Sequence, residues 1–200
     1  MNRTASSSTF LTIGHSNHQI DVFIALVKQH AITRIVDVRS SPRSQWTPWF
    51  NAEPLAARLA ENSIGYTPMP ELGGRPERND LFHNGRADYE AMAATDAVKS
   101  GIARLISASA HDRLALMCAE KEPLDCHRCL MISRILAQDG FSVQHIHADG
   151  HLEDHSALED RLLIITRESI GLFDDRDQVL SRAYALQSSR AAYRPTANHR

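Results

Sequence analysis

The sequence predicts an α/β domain with a mainly parallel sheet and helices on both faces, a Rossmann-like three-layer sandwich. Three observations carry that expectation. Short runs such as Ile35-Val36-Asp37-Val38 and Leu114-Ala115-Leu116-Met117-Cys118 are almost wholly apolar, as strands covered on both faces are. Other stretches place apolar residues at helical spacing, among them Val22, Phe23, Leu26 and Val27. The two kinds alternate along the chain, which favours right-handed crossovers and a parallel sheet.

The first strand is expected over Thr9 to Ile13, followed by the polar turn Gly14-His15-Ser16-Asn17 and a helix. A second strand over Arg34 to Arg39 carries Asp37 and Arg39 at its C-terminal end and breaks at Ser40-Ser41-Pro42. After a loop with Trp46, Pro48 and Trp49, the pattern predicts a helix over Glu53 to Asn62, with Pro54 tolerated in its first turn, and a third strand over Ile64 to Met69. A long polar loop runs from Glu71 to about Gly85. Asp88 to Ser109 reads as one helix or two, because Gly101 interrupts it. Leu114 to Cys118 is the clearest buried strand. Beyond the turn at Glu120 to Leu124, Asp125 is the expected N-cap of a helix through Leu130, Ile132 and Leu136 that stops at Gly140. Ser142 to His147 is a further strand, and Leu162 to Thr166 reads as strand or helix. The expected organisation is a flexible N-terminus over residues 1–8, one domain over 9–170, and a C-terminal helical extension over 171–200 with a mobile tail from Ser188.

A chain of 200 residues with 42% hydrophobic residues, 23% charged residues and a net charge of −2 has the balance of an ordinary globular domain. It lacks the broad positive field that non-specific nucleic-acid binding uses, so any anion site must be local. The three cysteines crowd between 118 and 129 rather than forming a distributed disulfide scaffold, which points to a reducing compartment. No apolar run is long enough for a signal sequence or a membrane span, so the expected setting is the cytoplasm, with no membrane partner.

Sites in parallel sheets gather at the strand C-termini, which would bring Gly14-His15-Ser16, Asp37, Arg39, Cys118-Ala119-Glu120 and His145 to one edge. The sharpest signal is Cys118-Ala119-Glu120 followed by Cys126-His127-Arg128, with two thiols, a carboxylate, an imidazole and a guanidinium around one turn. These motifs, with Thr12-Ile13-Gly14-His15-Ser16, Asp37-Val38-Arg39 ahead of Pro42 and Ser44, Leu72-Gly73-Gly74 and His145-Ile146, together resemble the DUF488 family, a domain of unknown function. The resemblance spans Phe10 to His155. It implies a cytosolic α/β domain and marks these positions as family-defining, and it implies no particular reaction.

Cys126 is expected at the first helical turn, partly exposed, as a nucleophile whose thiolate is favoured by Arg128 and a protonated His127; the competing reading makes it a small buried hydrophobe. Cys118 ends an apolar strand and is read as core or as a partner in the chemistry. Cys126-His127-Arg128-Cys129 also has the C-x-x-C spacing of redox sites, but the family motif rests on Cys-His-Arg without Cys129. His15 or His127 would move protons, and Glu120 would orient a partner or activate water. Arg39 and Arg128 are the favoured anion clamps, ahead of Arg43 and Arg75. Ser16, Asp37, Gly73, Gly74 and His145 complete the expected substrate-binding surface. His145, His147, His151 and His155 match no ligand pattern, so no metal is expected. No G-x-G-x-x-G follows the first strand and no phosphatase loop joins a cysteine to an arginine, so no cofactor is expected either.

These residues point to a hydrolase or transferase with a cysteine-centred site and a small anionic substrate, a nucleotide or phosphorylated metabolite. The competing class is a non-catalytic module for a nucleotide or nucleic-acid end, with Trp46, Trp49 and Phe50 beside Arg43 available for stacking. A concave pocket with Cys126 exposed to it favours the enzyme; a flat basic and aromatic surface over a buried Cys126 favours the module.

Overall fold

A computed structural model describes residues 9–171 and 174–195, so the N-terminus expected to be flexible and the last residues of the expected tail lie outside the described residues. Strand β1 (Thr9–Gly14) leads through helix α1 (Ile20–Gln29) to β2 (Arg34–Asp37), and α2 (Ala52–Ala60) leads to β3 (Gly65–Pro68). A small antiparallel hairpin, β4 (Phe82–His83) and β5 (Arg86–Ala87), precedes α3 (Tyr89–Ala93) and α4 (Asp96–Ala108). Then come β6 (Leu114–Cys118), α5 (Arg134–Gln138), β7 (Ser142–Ile146), β8 (Leu152–Asp154), α6 (His155–Thr166) and α7 (Arg176–Ala191).

The main sheet has the order β3-β2-β6-β1-β7-β8, parallel throughout except for β8, an antiparallel edge strand that the sequence pattern did not reveal. This is the predicted three-layer α/β architecture. The register sets Gly14 opposite Cys118 and Asp37 opposite Met117, so the C-terminal ends of β1, β2 and β6 finish level with one another. After β1 the chain first moves toward the β2 side, and after β6 it crosses to β7 on the other, so this edge is also where the winding reverses.

Alternation along the strands builds two cores. Leu11, Ile13, Ile35, Ala115 and Met117 pack with α1 and α2. Phe10, Val36, Leu114, Leu116 and Cys118 face α3 to α7. No helix among the described residues is long and apolar enough to cross a membrane.

Several local expectations need correction. The helix expected from Asp125 is composite: a 3₁₀ turn over Pro123–Asp125, an extended Cys126 (φ −134°, ψ 138°), a π turn over Arg128–Ser133, and only then α5. Asp125 caps nothing; Glu122 accepts from Leu124 N instead. The Ser133 hydroxyl donates to Arg128 O at 2.7 Å within the widened turn, a feature often found beside functional sites. The 71–85 loop is not structureless, because it holds two 3₁₀ turns and β4. α3 and α4 are separate helices, and their break comes from Thr95, which caps Val98, while Gly101 lies inside α4 against Leu72. Leu162 to Thr166 belongs to α6. The tail expected to be mobile from Ser188 continues α7 to Ala191 and then packs, with Tyr193 O accepting from Ala87 N.

Candidate functional site

The segment after β6 is held from several sides. His15 N and Ser16 N donate to Cys118 O and Ala119 O, extending the β1–β6 pairing past the strand ends. Gly14 lets the turn cross β1, since a Cβ there would lie 1.9 Å from Glu120 O. From below, Arg128 donates to Glu120 O at 2.6 Å and to Lys121 O at 3.1 Å. From the side, Arg161 grips Glu122 and Gln187 of α7 donates to Leu124 O. The turn is therefore fixed by the sheet, the π turn and two C-terminal helices together.

That fixation aims four side chains at one point. The Cys118 and Cys126 thiols lie 2.8 and 3.0 Å from Glu120 Oε2, and each Sγ lies 3.8 Å from His127 Nδ1. His127 Nε2 donates to Val38 O at 2.8 Å, which fixes the ring and leaves Nδ1 facing the sulfurs. Gly74 makes room for that ring, because a Cβ there would lie 2.6 Å from His127 Cγ. Cys118, Cys126 and His127 are buried, whereas Glu120 is partly exposed.

The electrostatics separate the two thiols. Burial opposes a charge on Cys126, but its hydrogen bond with Cys118, the Arg128 guanidinium and His127 outweigh it and hold this thiol well below its ordinary value. Burial, with Cys126 and Glu120 alongside, pushes Cys118 well up. His127 is raised because Cys126 and Glu120 overcome the penalty of burial, and burial with Cys126 raises Glu120.

The cluster forms the floor of a cavity of about 360 Å³ whose walls bring Ser16, Arg43, Arg75 and Trp46 to the same edge. Arg43 and Arg75 are exposed and form no salt bridge among the described residues; Arg75 rests 5.0 Å from the Tyr193 ring centroid. Trp46 is 81% exposed at the rim. A second cavity of about 440 Å³, beside the β4–β5 hairpin, α3 and α7, holds no cysteine.

Of the expected catalytic residues, the structure gathers Cys126, His127, Glu120 and Cys118, and sets His15 on the cavity wall. Cys126 is not partly exposed as expected: it is 1% exposed, because the extended backbone before the π turn directs it inward. His15 does not carry a free basic nitrogen. Its Nδ1 donates to Ser16 O, its Nε2 accepts from Arg39, its ring stacks on Phe50, and burial with Arg39 nearby lowers its pKa to about 4.

Several expected substrate contacts need correction. Arg39 lines the cavity, but its fork is committed to Asp37, Phe50 O and His15, so both Arg39 and Asp37 brace the end of β2. Arg128 is fully buried beneath the turn and cannot reach a ligand in the cavity. His145 is fully buried as well, between Thr12 and His155. Gly73 packs against Ser40, whereas Gly74 and Ser16 do reach the cavity. Trp49 pins its loop by donating to His18 O, and Phe50 is buried, which leaves Trp46 as the exposed aromatic of that group.

Sequence reasoning missed Tyr89 and Tyr193, which also line the cavity. Tyr193 stands alone as an aromatic in a polar tail, a signal that the segment packs rather than floats. Sequence reasoning named Cys118, Glu120, Cys126 and His127 but did not read them as one four-donor set, because Cys118-x-Glu120-x₅-Cys126-His127 matches no standard ligand spacing.

The chain matches no curated protein and no solved structure. Residues 19–135 match the family described as Domain of unknown function DUF488, a span that includes β2, β6, Gly74 and the whole four-residue cluster but leaves β1, His145 and α7 outside it. With more than half its length matched, the chain belongs to the DUF488 family.

Proposed function

We propose that the cavity at the C-terminal ends of β1, β2 and β6 is the active site of a hydrolase or transferase for a small anionic substrate, a nucleotide or another phosphorylated metabolite. The observation that carries this reading is the junction of four convergent ionisable groups with two exposed arginines and an exposed tryptophan in one concave site. Arg43 and Arg75 meet the anion, and Trp46 offers its face to a base. Glu120 is the member of the cluster that faces outward, so it exchanges protons with substrate or water. Cys118, Cys126 and His127 form the charged floor beneath it. With Cys126 buried, the role that fits it is to hold charge rather than to attack directly.

Thermal-shift screening of nucleotides and phosphorylated metabolites, followed by product analysis, tests this reading. A ligand that binds only the folded state raises the melting temperature. Arg43→Ala and Arg75→Ala should each weaken that ligand about tenfold, the size of one charge-assisted hydrogen bond, and Glu120→Gln should bind it without converting it. A stabilising anion indifferent to both arginine replacements overturns the assignment. The recognition-module reading draws on the exposure of Trp46; binding that needs Trp46 and is never followed by conversion would establish it.

A further inference from the structure

We propose that Cys118, Glu120, Cys126 and His127 bind one divalent transition-metal ion, zinc by preference, at the floor of the cavity. The proposal relies on the active-site reading for what the ion does there, and not for its binding.

All four donor atoms lie within 4.8 Å of one another, and they include two sulfurs, one imidazole nitrogen and one carboxylate oxygen. Zinc bond lengths of about 2.0 to 2.3 Å place tetrahedral neighbours roughly 3.3 to 3.8 Å apart. The two sulfur-to-Nδ1 distances of 3.8 Å already meet that spacing. The two sulfur-to-Oε2 distances of 2.8 and 3.0 Å are those of a thiol–carboxylate hydrogen bond, and they open by several tenths of an ångström once an ion replaces the protons.

The surroundings are those of a ligand set. A metal-binding histidine usually donates its remote ring nitrogen to a carbonyl or carboxylate, and His127 Nε2 does so to Val38 O. Gly74 is the empty space that admits that ring. The thiols are free. Thiolate with imidazole selects zinc or iron over magnesium or calcium. A divalent ion with two thiolates and one carboxylate leaves a single net negative charge. Against it lies Arg128, fully buried, in no salt bridge among the described residues, and with its Nε unpaired. A buried guanidinium needs such an anion, since an uncompensated buried charge is costly.

Cys118, Cys126 and His127 are buried at the cavity floor, so they are the permanent ligands. Glu120 is the one of the four that is not buried, so its position is the one that water or an anionic group can take, as in catalytic zinc sites with three protein ligands. Glu120, once displaced, would be the neighbouring base for the proton of a water bound in its place.

A second group, Cys129, His145 and His155, also brings its donors within 4.8 Å, but its ring nitrogens are occupied by Thr12, by each other and by Tyr184. It supplies the control. The full chain, purified without chelator, should carry about one zinc, and after stripping should bind added Zn²⁺ with a dissociation constant below about 1 µM. Added Co²⁺ should give sulfur-to-cobalt charge-transfer absorption and the intense visible bands of tetrahedral coordination, a readout that needs no variant. Cys118→Ser, Cys126→Ser and His127→Ala should each weaken binding by tenfold or more, while Cys129→Ser leaves it unchanged. Absence of submicromolar zinc and of the cobalt bands in the wild-type chain overturns the proposal. So does loss of binding in Cys129→Ser with retention in Cys118→Ser. Turnover of an anionic substrate by metal-free protein removes the metal and leaves the active site standing, whereas zinc binding without any anionic ligand removes the active site and leaves the metal.

Discussion

Two clusters of cysteine and histidine lie on the same face of the sheet, and they differ in what their polar atoms have left to give. At Cys118, Glu120, Cys126 and His127 the donors turn toward a common point and open into a cavity. At Cys129, His145 and His155 they close on themselves: Thr12 to His145, His145 to His155 and His155 to Tyr184 form one buried chain that ends at the half-buried Glu159. Two cysteines only three positions apart, Cys126 and Cys129, therefore lie in different settings, because the extended backbone at Cys126 directs it to the cavity floor while Cys129, inside the π turn, packs into the core. Composition alone does not separate such clusters. Hydrogen-bond satisfaction and access do.

The largest expected effect comes from removing what both clusters lean on. α7 supplies Tyr184 to the closed chain, Gln187 to the 123–125 turn, and Val179 and Leu180 to the core. At about 1.5 to 3 kcal/mol for each large buried apolar side chain, truncation before Arg176 should cost on the order of 5 kcal/mol or more, read as loss of cooperative unfolding. If the shortened chain keeps its stability and its zinc, α7 is an appendage and the comparison fails.

The closed chain should reveal itself next, through pH. Burial lowers His155 to about 4, and burial with His155 nearby puts His145 well below its usual range. A histidine with a depressed folded pKa binds its proton more readily when unfolded. Its stabilisation is therefore complete above about pH 6.5 and is lost as pH falls from there toward 4. His155 alone accounts for about 3 kcal/mol of that loss. Urea midpoints between pH 7 and 4 should show it, and His155→Gln should flatten the slope while lowering stability at pH 7. Because His145 and His15 also titrate low, part of the slope remains; a slope left unchanged by the replacement would move the acid sensitivity elsewhere.

A smaller effect should separate floor from core. Gly74→Ala crowds the His127 ring, which Val38 O holds in place, so it should cost about 1 to 3 kcal/mol and weaken zinc binding. The smallest belongs to the rim: Arg43→Ala should change stability by less than about 0.5 kcal/mol while lowering anion affinity about tenfold. If Arg43→Ala destabilises the fold instead, that arginine is structural and the anion site lies elsewhere.

The sequence carried much of this and lost the rest for identifiable reasons. Buried strands were legible because Leu114 to Cys118 is apolar throughout and Ile35 to Val38 is apolar but for Asp37, and the edge that gathers the cluster followed from the parallel order. β8 was not, since its three residues lie in a polar stretch. The motif residues led to the turn where the cluster forms but blurred two duties. Arg39 and Arg128 hold the turn in place, one bracing β2 and the other bonded to Glu120 O and Lys121 O, while the exposed arginines on the cavity wall are Arg43 and Arg75. Sequence proximity to a motif cannot tell a residue that touches ligand from one that holds the residue that does. The extended residue at Cys126 and the π turn after it leave no trace in a 3.6-residue period.

The most direct test of this division is one titration followed by NMR of the histidine side-chain nitrogens. On addition of Zn²⁺ and then of a stabilising phosphate ligand, the His127 ring signals should change at the first equivalent, while those of His145 and His155 stay where they were. Early movement of His145 or His155 with a silent His127 would contradict the account and place the working site inside the core.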